Sequence, residues 1–596
     1  MAKRKAFDIR NSVRLRTLFV GISIAALLVV FVVRLTDIQV VRAAELNQQS
    51  DERRTQTTTL YGARGDIVDA NGETMATSVA RWDVTISPQY TRDVELEDGT
   101  VISVGQVLRR LAEVTGQDPN AMATAIQNEL DRNPESDYLV LSSGLTVDQF
   151  ERVRLMRSDW NLPYMILQSR PERTYPLGSV GGNILGFEGS DGDPLAGMEL
   201  IQDACLAPQD GSRLFEQAAD GTEIPGTVRV NELPEDGGTL ELTLDSGLQY
   251  SMQQVLAQYT EDFNARGATA IVLRADGTVA AVAETPSVDP NHPIGVDPEY
   301  RGSRSFTEAY EPGSTFKTIA MAAMIDQGLA TPTDQFVVPF EYRRGDVSLH
   351  DSFRHPEMRW TSTGILVHSS NVGMVMMADD LDRQVLYDYL DLFGFGQVTN
   401  VDFLGEQAVP LNDPNSLDLQ TRANQIFGQG IAVTPIQMAS SYLPFANDGM
   451  RPAIRLVESC TTADGEVIVP EMPEPVQVIE PETADSLLEM MERVATGGSR
   501  DTAVIEGYNV ALKTGTAEVA RADGSGYDPD QWVISATGVL SSDNPEYVIH
   551  VMIDRPNPEM RTTGASPLFH DIVNLLIRHY SIPPSSEEPS DLPVEW

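Results

Sequence analysis

Lysine is nearly missing from this chain: of 43 basic residues in 596, only four are lysine, and past residue 5 the only two are Lys317 and Lys513. Histidine is sparse as well. The seven histidines are scattered, with neither His-Glu-x-x-His nor a close Cys/His set, so a metal site has no support and no cofactor is expected. Only two cysteines occur, Cys205 and Cys460, and their pairing stays open because sequence does not give the distance between their Cα atoms. Positive charge is outweighed overall: 43 basic against 87 acidic groups leave a net charge of −44, which argues against nucleic acid or an anionic lipid surface as a partner for the portion after the apolar run near the amino terminus. Gly313-Ser314-Thr315-Phe316-Lys317-Thr318 lacks the glycine before lysine that a phosphate loop requires, and no Gly-x-Ser-x-Gly elbow or internal repeat is present.

What is there begins with an uncharged apolar run from Thr17 to Val33, at the short end of a membrane-spanning helix, which Arg34 extends by snorkelling. Lys3, Arg4, Lys5, Arg10, Arg14 and Arg16 precede it against the single acid Asp8. By the positive-inside rule this predicts a cytoplasmic basic tail at 1–16, a transmembrane helix at 17–35, and everything after about residue 36 outside. A signal peptide cleaved near Arg42-Ala43-Ala44 is the competing reading, but the apolar core is too long for one.

A chain of 596 residues exceeds one hydrophobic core. Residues 36–235 mix short alternating runs with helical stretches such as Val107 to Val114 and Met122 to Leu130, and are expected to form an irregular α/β pedestal. Glycine, proline and acid gather in Glu223 to Gly238, which places a boundary near 236. Beyond it, Ala268 to Leu273 and Thr278 to Glu284 predict a hairpin across Asp276-Gly277. Trp532 to Leu540 and Tyr547 to Asp554 predict a second hairpin, and Tyr508 to Val519 a fifth strand. With helical patterns between them, at Thr315 to Leu329 and Leu381 to Leu392, the fold class is α+β: one antiparallel five-stranded sheet flanked by helices over 236–580. The polar, proline-rich tail at 581–596 is expected to be disordered.

The two remaining lysines sit in motifs. Lys317 closes Ser314-Thr315-Phe316-Lys317, and Lys513 opens Lys513-Thr514-Gly515-Thr516. A guanidinium stays protonated in a protein, whereas an ammonium can be made neutral by burial or a neighbouring cation and then accept a proton. Ser314 after Pro312-Gly313 predicts a turn entering a buried helix, where a residue three positions on shares its face. Ser314 is thus a candidate nucleophile and Lys317 its base. Lowering a lysine pKa by about three units costs roughly 4 kcal/mol, and Lys513 across the cleft is expected to be the fixed charge that assists and that attracts a carboxylate. Ser369-Ser370-Asn371 supplies a third element: a hydroxyl to relay a proton and an amide to hold a carbonyl.

Ser-x-x-Lys, Ser-x-Asn and Lys-Thr-Gly in this order resemble the penicillin-binding proteins and serine β-lactamases. The likeness extends to Glu311 through Lys317, Phe393-Gly394-Phe395-Gly396, Gly428-Gln429-Gly430, Val433-Thr434-Pro435 and Lys513 through Ala517, in the class B pattern. Arg64 through Gly72 and Arg173-Thr174-Tyr175-Pro176 resemble that class's pedestal, of the dimerisation type. The resemblance implies a peptidoglycan D,D-transpeptidase acylated on Ser314 by a D-Ala-D-Ala stem peptide, and a target of β-lactams. It implies a catalytic set of Ser314, Lys317, Ser369, Asn371 and Lys513. Thr514, Gly515 and Thr516 would contact substrate, and the backbone N–H groups of Ser314 and Thr516 would form the oxyanion hole. It further implies a membrane anchor, a SEDS-type glycosyltransferase and divisome proteins as partners, and a role in septal rather than elongation synthesis. The alternative class is an idle scaffold regulating that glycosyltransferase, against which the intact motif set argues. Two departures stand out: Leu512 where the class has glycine, and Ala70 where it has arginine.

Overall fold

The computed structural model describes residues 9–42, 55–216, 218, 224, 226–497, 503–521, 523, 526–561 and 563–596. Lys3, Arg4, Lys5 and the Ala43-Ala44 pair lie outside these residues. The chain divides into two compact units, the first made of Met1–Gly62, Ala80–Pro171 and Gln209–Glu235, the second of Ala63–Val79, Glu172–Pro208 and Asp236–Trp596.

In the first unit, the apolar run forms the helix Ile9–Thr36, with Arg34 paired to Asp37 at 2.8 Å one turn on. Among the described residues, Arg14–Val41 is the one helical span long and apolar enough to cross a membrane, and none of it is buried within the protein. A strand Trp82–Ile86 pairs antiparallel with Leu139–Leu145 on one side and Met165–Ser169 on the other. The helices Val104–Thr115, Pro119–Arg132 and Val147–Asp159 close its core, with Val84, Leu111 and Val153 fully buried. Ser103 with Gln106 and Thr146 with Gln149 form reciprocal capping boxes that satisfy the first amides of two of these helices.

In the second unit, 63–79 and 172–208 cluster with the catalytic part of the chain. The strand Ile67–Val68 runs parallel to Thr239–Leu242 in a six-stranded sheet. Buried Glu199 holds the two segments: it accepts from Arg64 Nε at 2.7 Å, from Arg173 Nε at 2.7 Å and from Tyr175 OH at 3.2 Å. Charges removed from water hold only when paired in this way. Cys205 and Cys460 form a disulfide with Cα atoms 6.1 Å apart. At the Ala70 departure, Asp69 organises the turn: its Oδ1 accepts from the amides of Asn71 and Glu73, both at 2.8 Å, and Gly72 donates to Asp69 O.

The second unit is built on an antiparallel five-stranded sheet ordered Val279–Thr285, Gly267–Arg274, Tyr547–Asp554, Tyr527–Leu540 and Val510–Ala520. The strand bearing Lys513 is therefore an edge. Helices Ser246–Asp262 and Ser566–Tyr580 cover one face through Leu248, Met252, Phe569 and Ile572. On the other face packs a helical layer whose centre is Lys317–Asp326, buried along its first eight residues.

The tail expected to be disordered is instead bound to the second unit. Ser585 donates its amide to Gly507 O and its hydroxyl to Asp543, and Thr361 donates its amide to Val594 O at 3.1 Å. Its polar composition hides this because hydrogen bonds to distant groups hold much of the segment, beside the apolar contacts of Ile582 and Leu592.

Candidate active site

Ser314 sits on a 3-10 turn, Gly313–Phe316, that runs into the helix Lys317–Asp326. In such a turn positions i and i+3 eclipse, so Ser314 and Lys317 stack on one face, with the Lys317 amide donating to Ser314 O. The turn is fastened from three sides. Gly313 donates its amide to Gly428 O at 3.0 Å, Thr315 Oγ1 donates to Pro312 O at 2.8 Å, and the buried Tyr442 hydroxyl donates to Thr315 O at 2.9 Å.

Lys317 is fully buried and directs its amine to Ser369, donating to the carbonyl at 2.5 Å and to Oγ at 3.2 Å. Lys513, 1% exposed, donates to the same Ser369 Oγ at 3.0 Å and to Thr514 O at 2.9 Å. One hydroxyl therefore lies between two amines. Ser369 reaches this position with a left-handed backbone, φ 54°, a conformation that costs an ordinary residue energy and persists where surroundings enforce it.

Burial, and after it the neighbouring Lys513 charge, push Lys317 well below the usual lysine range, while Asp351 pulls the other way. Burial alone lowers Lys513 to about 7. An amine this dry titrates near neutrality.

Asn371 opens the helix Asn371–Met377, and its Nδ2 donates to His350 O at 3.4 Å. The loop before it is anchored by Asp351, a residue its surrounding sequence does not mark. Asp351 Oδ2 accepts from Ser370 Oγ at 2.7 Å and contacts His355 Nε2 at 2.9 Å, and Oδ1 accepts from the Val372 amide at 3.0 Å. Glu311, quoted in the motif without a role, accepts both the Tyr527 hydroxyl and the Gly430 amide, tying the approach to Ser314 to the strand Tyr527–Leu540 and to the Gly428-Gln429-Gly430 turn.

The Lys513 strand passes very close to the nucleophile turn. A Cβ on Gly515 would stand 2.9 Å from Pro312 O, and one on Gly313 would stand 2.9 Å from Thr516 O, so the backbone of Thr516 faces the turn. Thr514 is half-buried and Thr516 exposed. Leu512 points to the opposite face, where it is 1% exposed; its cross-strand partner is Gly538, whose missing side chain leaves room for it. Sequence-predicted Ser314, Lys317, Ser369, Lys513 and Thr516 are thus brought together, with Asn371, Thr514 and Gly515 beside them. Among the described residues, no cluster of three His, Cys, Asp or Glu side chains could hold a metal ion.

Ser314, the two buried amines, the Ser369 hydroxyl between them and the edge strand can be set beside known proteins. Residues 267–574 match the penicillin binding protein transpeptidase domain, and residues 59–191 match the penicillin-binding protein dimerisation domain. Penicillin-binding protein PbpB of Mycolicibacterium smegmatis is 32% identical over 602 aligned residues, covering 95% of this chain and 90% of the relative. Peptidoglycan D,D-transpeptidase FtsI of Escherichia coli is 27% identical, covering 93% and 90%. Among solved structures, a peptidoglycan synthetase of Bifidobacterium adolescentis superposes with a TM-score of 0.72 at 29% identity, covering 91% of this chain and 100% of that one. Penicillin binding protein 3 of Mycobacterium tuberculosis, complexed with aztreonam, superposes with 0.68 at 27% identity, covering 90% and 100%. A domain match over half the chain and likeness along nearly its whole length place it in a family: the chain belongs to the class B penicillin-binding proteins.

Proposed function

We propose that the protein is a peptidoglycan D,D-transpeptidase, in which Ser314 Oγ attacks the carbonyl of the penultimate D-alanine of a stem peptide. Lys317 takes the hydroxyl proton and hands it through the Ser369 hydroxyl to the amine of the leaving terminal D-alanine, whose C–N bond breaks as the Ser314 ester forms. The amine of a second stem peptide then attacks the ester, giving the amide crosslink and returning the proton to Ser314. The developing oxyanion is received by the backbone N–H groups of Ser314 and Thr516. Thr514, Gly515 and Thr516 line the place for the substrate carboxylate, which a protonated Lys513 attracts, and Asn371 holds a peptide carbonyl.

The observation that carries this reading is the Ser369 hydroxyl held between two buried amines, at 3.2 Å from Lys317 and 3.0 Å from Lys513. A neutral Lys317 is competent as a base at physiological pH, which its burial supports. β-Lactams mimic the acyl donor, and a relative complexed with aztreonam supports their binding here. Covalent labelling by a fluorescent penicillin, with mass mapping of the acylated residue, tests the proposal: label on Ser314 that disappears in Ser314→Ala is expected. A folded wild type that takes no label would leave the scaffold reading in its place.

In this reading the amino terminus is cytoplasmic and the catalytic unit lies outside. Arg14 and Arg16 before the apolar span support this, as does the Cys205–Cys460 disulfide, a bond that persists in oxidising compartments. Likeness to FtsI supports a septal role beside a SEDS-type glycosyltransferase and other divisome proteins. Depletion that yields filaments rather than rounded cells is the expected outcome.

A further inference from the structure

The end of the chain spans from one wall of the catalytic cleft to the other. At one end it meets the entrance to the Lys513 strand: Ser585 Oγ accepts from the Asn509 amide at 2.9 Å, Glu587 O accepts from Asn509 Nδ2 at 3.0 Å, and Tyr508 OH donates to Ile582 O. It then crosses the helix Pro481–Gly497, where Glu492 Oε2 accepts from the Ser590 amide at 2.7 Å and Arg493 Nε donates to Leu592 O at 3.0 Å. Its last residues join the strand Met358–Thr361. Thr361 donates its amide to Val594 O and its hydroxyl to Pro593 O, Glu595 bridges to Trp360, and the Trp596 amide donates to Arg359 O.

Thr361 is also the cap of the helix Ser362–Val367, accepting from the Gly364 amide at 2.9 Å. That helix delivers His368 and Ser369, and the Trp360 ring stacks on His368 with centroids 4.5 Å apart. Gly364 is shaped to the crossing chain, since a Cβ there would lie 2.0 Å from Val594 O. Ser369 Oγ must reach both amines at once, so the separation of the Lys513 strand from the Ser369 loop sets whether the relay forms.

We propose that residues 585–596 are a positioning strap that fixes this separation, so that a change in the carboxyl terminus, far along the chain from every motif, alters the geometry at Ser369. The structural part stands alone; its effect on acylation rests on the transpeptidase reading. Two full-length-based variants test it: deletion of 586–596, and Gly364→Ala, which expels the Val594 carbonyl. Both are expected to speed amide hydrogen exchange over residues 365–372 about tenfold or more while distant strands keep their protection. Both are expected to slow acylation by a fluorescent penicillin by about tenfold, since a misplacement near 1 Å is enough for such a loss. Combined, they should act no more strongly than the deletion alone, and a synthetic peptide of residues 583–596 should restore the deleted protein's rate. Wild-type exchange over 365–372 in the deleted protein would overturn the proposal. So would a full additional effect of Gly364→Ala on the deleted background. If the deleted protein does not fold, unchanged exchange in full-length Gly364→Ala overturns it alone. Wild-type protein that takes no label counts against the transpeptidase reading, while hydrogen exchange still decides the strap.

Discussion

Ser370 Oγ donates a 2.7 Å hydrogen bond to Oδ2 of Asp351, a carboxylate only 1% exposed. Through that bond and the one from the Val372 amide, the left-handed Ser369 is held where its hydroxyl meets both amines. Asp351→Ala takes the acceptor from the Ser370 O–H, the Val372 amide and the His355 ring, while Ser370 Oγ still accepts from the Gly373 amide, at an expected cost of about 2 kcal/mol in stability. Penicillin acylation should slow at least about tenfold as the loop loosens. Urea denaturation and stopped-flow labelling read the two effects.

Ser369→Ala removes the shared acceptor and with it the relay. The variant should fold, because the hydroxyl is not in a packed apolar contact, and should acylate about 100-fold or more slowly. A rate within twofold of wild type would remove Ser369 from the proton path.

Lys513, at about 7, loses its charge as the pH rises through neutrality. Affinity for a carboxylate-bearing substrate is expected to fall over about pH 6–8 for that reason, with little change in the acylation step itself. In Lys513→Arg the cation persists, and this falling limb should vanish from the pH profile of the substrate KM. Its sign for stability is opposite to that of a salt-bridged carboxylate. A lysine whose folded pKa lies below its unfolded one destabilises the fold when both states are protonated, so stability should rise as the pH climbs from about 7 to 10.

Glu199→Gln takes the charge from between Arg64 and Arg173, both nearly buried. Arg64 keeps Asp203 and Glu188 while Arg173 loses its carboxylate partner; breaking a buried pair costs about 3–5 kcal/mol, and the melting temperature should drop accordingly while the Ser314 turn keeps its reactivity toward penicillin.

Cys205→Ser with Cys460→Ser opens a link between positions 255 residues apart. A loss of about 2–5 kcal/mol is expected, read as a lower urea midpoint that reducing agent reproduces in the wild type.

The chemistry was legible where it is local. A serine and lysine one turn apart, a Lys-Thr-Gly strand and two hairpins with turn residues at Asp276-Gly277 and Ser541 to Pro545 are patterns of neighbours, and the five-stranded sheet follows from them. What escaped depends on distant pairing. Asp351 acts from 18 residues before Ser369, with no spacing to mark it. The strand Ile67–Val68 joins a partner at Thr239–Leu242, so it leaves the pedestal without any local signal. The tail reads as polar and loose because its partners, from Gly507 and Asn509 to Glu492, Arg493, Arg359 and Thr361, are distant in sequence. Lys513's titration follows from burial, which a motif does not encode.

The strand Val510–Ala520 has no neighbour on its outer side within the five-stranded sheet. A bare rim of amides and carbonyls in water invites self-association, and proteins ordinarily cover or charge such rims. Under the proposed function, its Thr514, Gly515 and Thr516 are small enough that an incoming extended peptide would lie alongside as a temporary sixth strand. Recognition of that sort reads main-chain geometry and asks little of the guest's side chains, which suits a donor ending in two alanines. It also means that any rigid ring presenting an amide and a carboxylate at the right spacing can take the same berth.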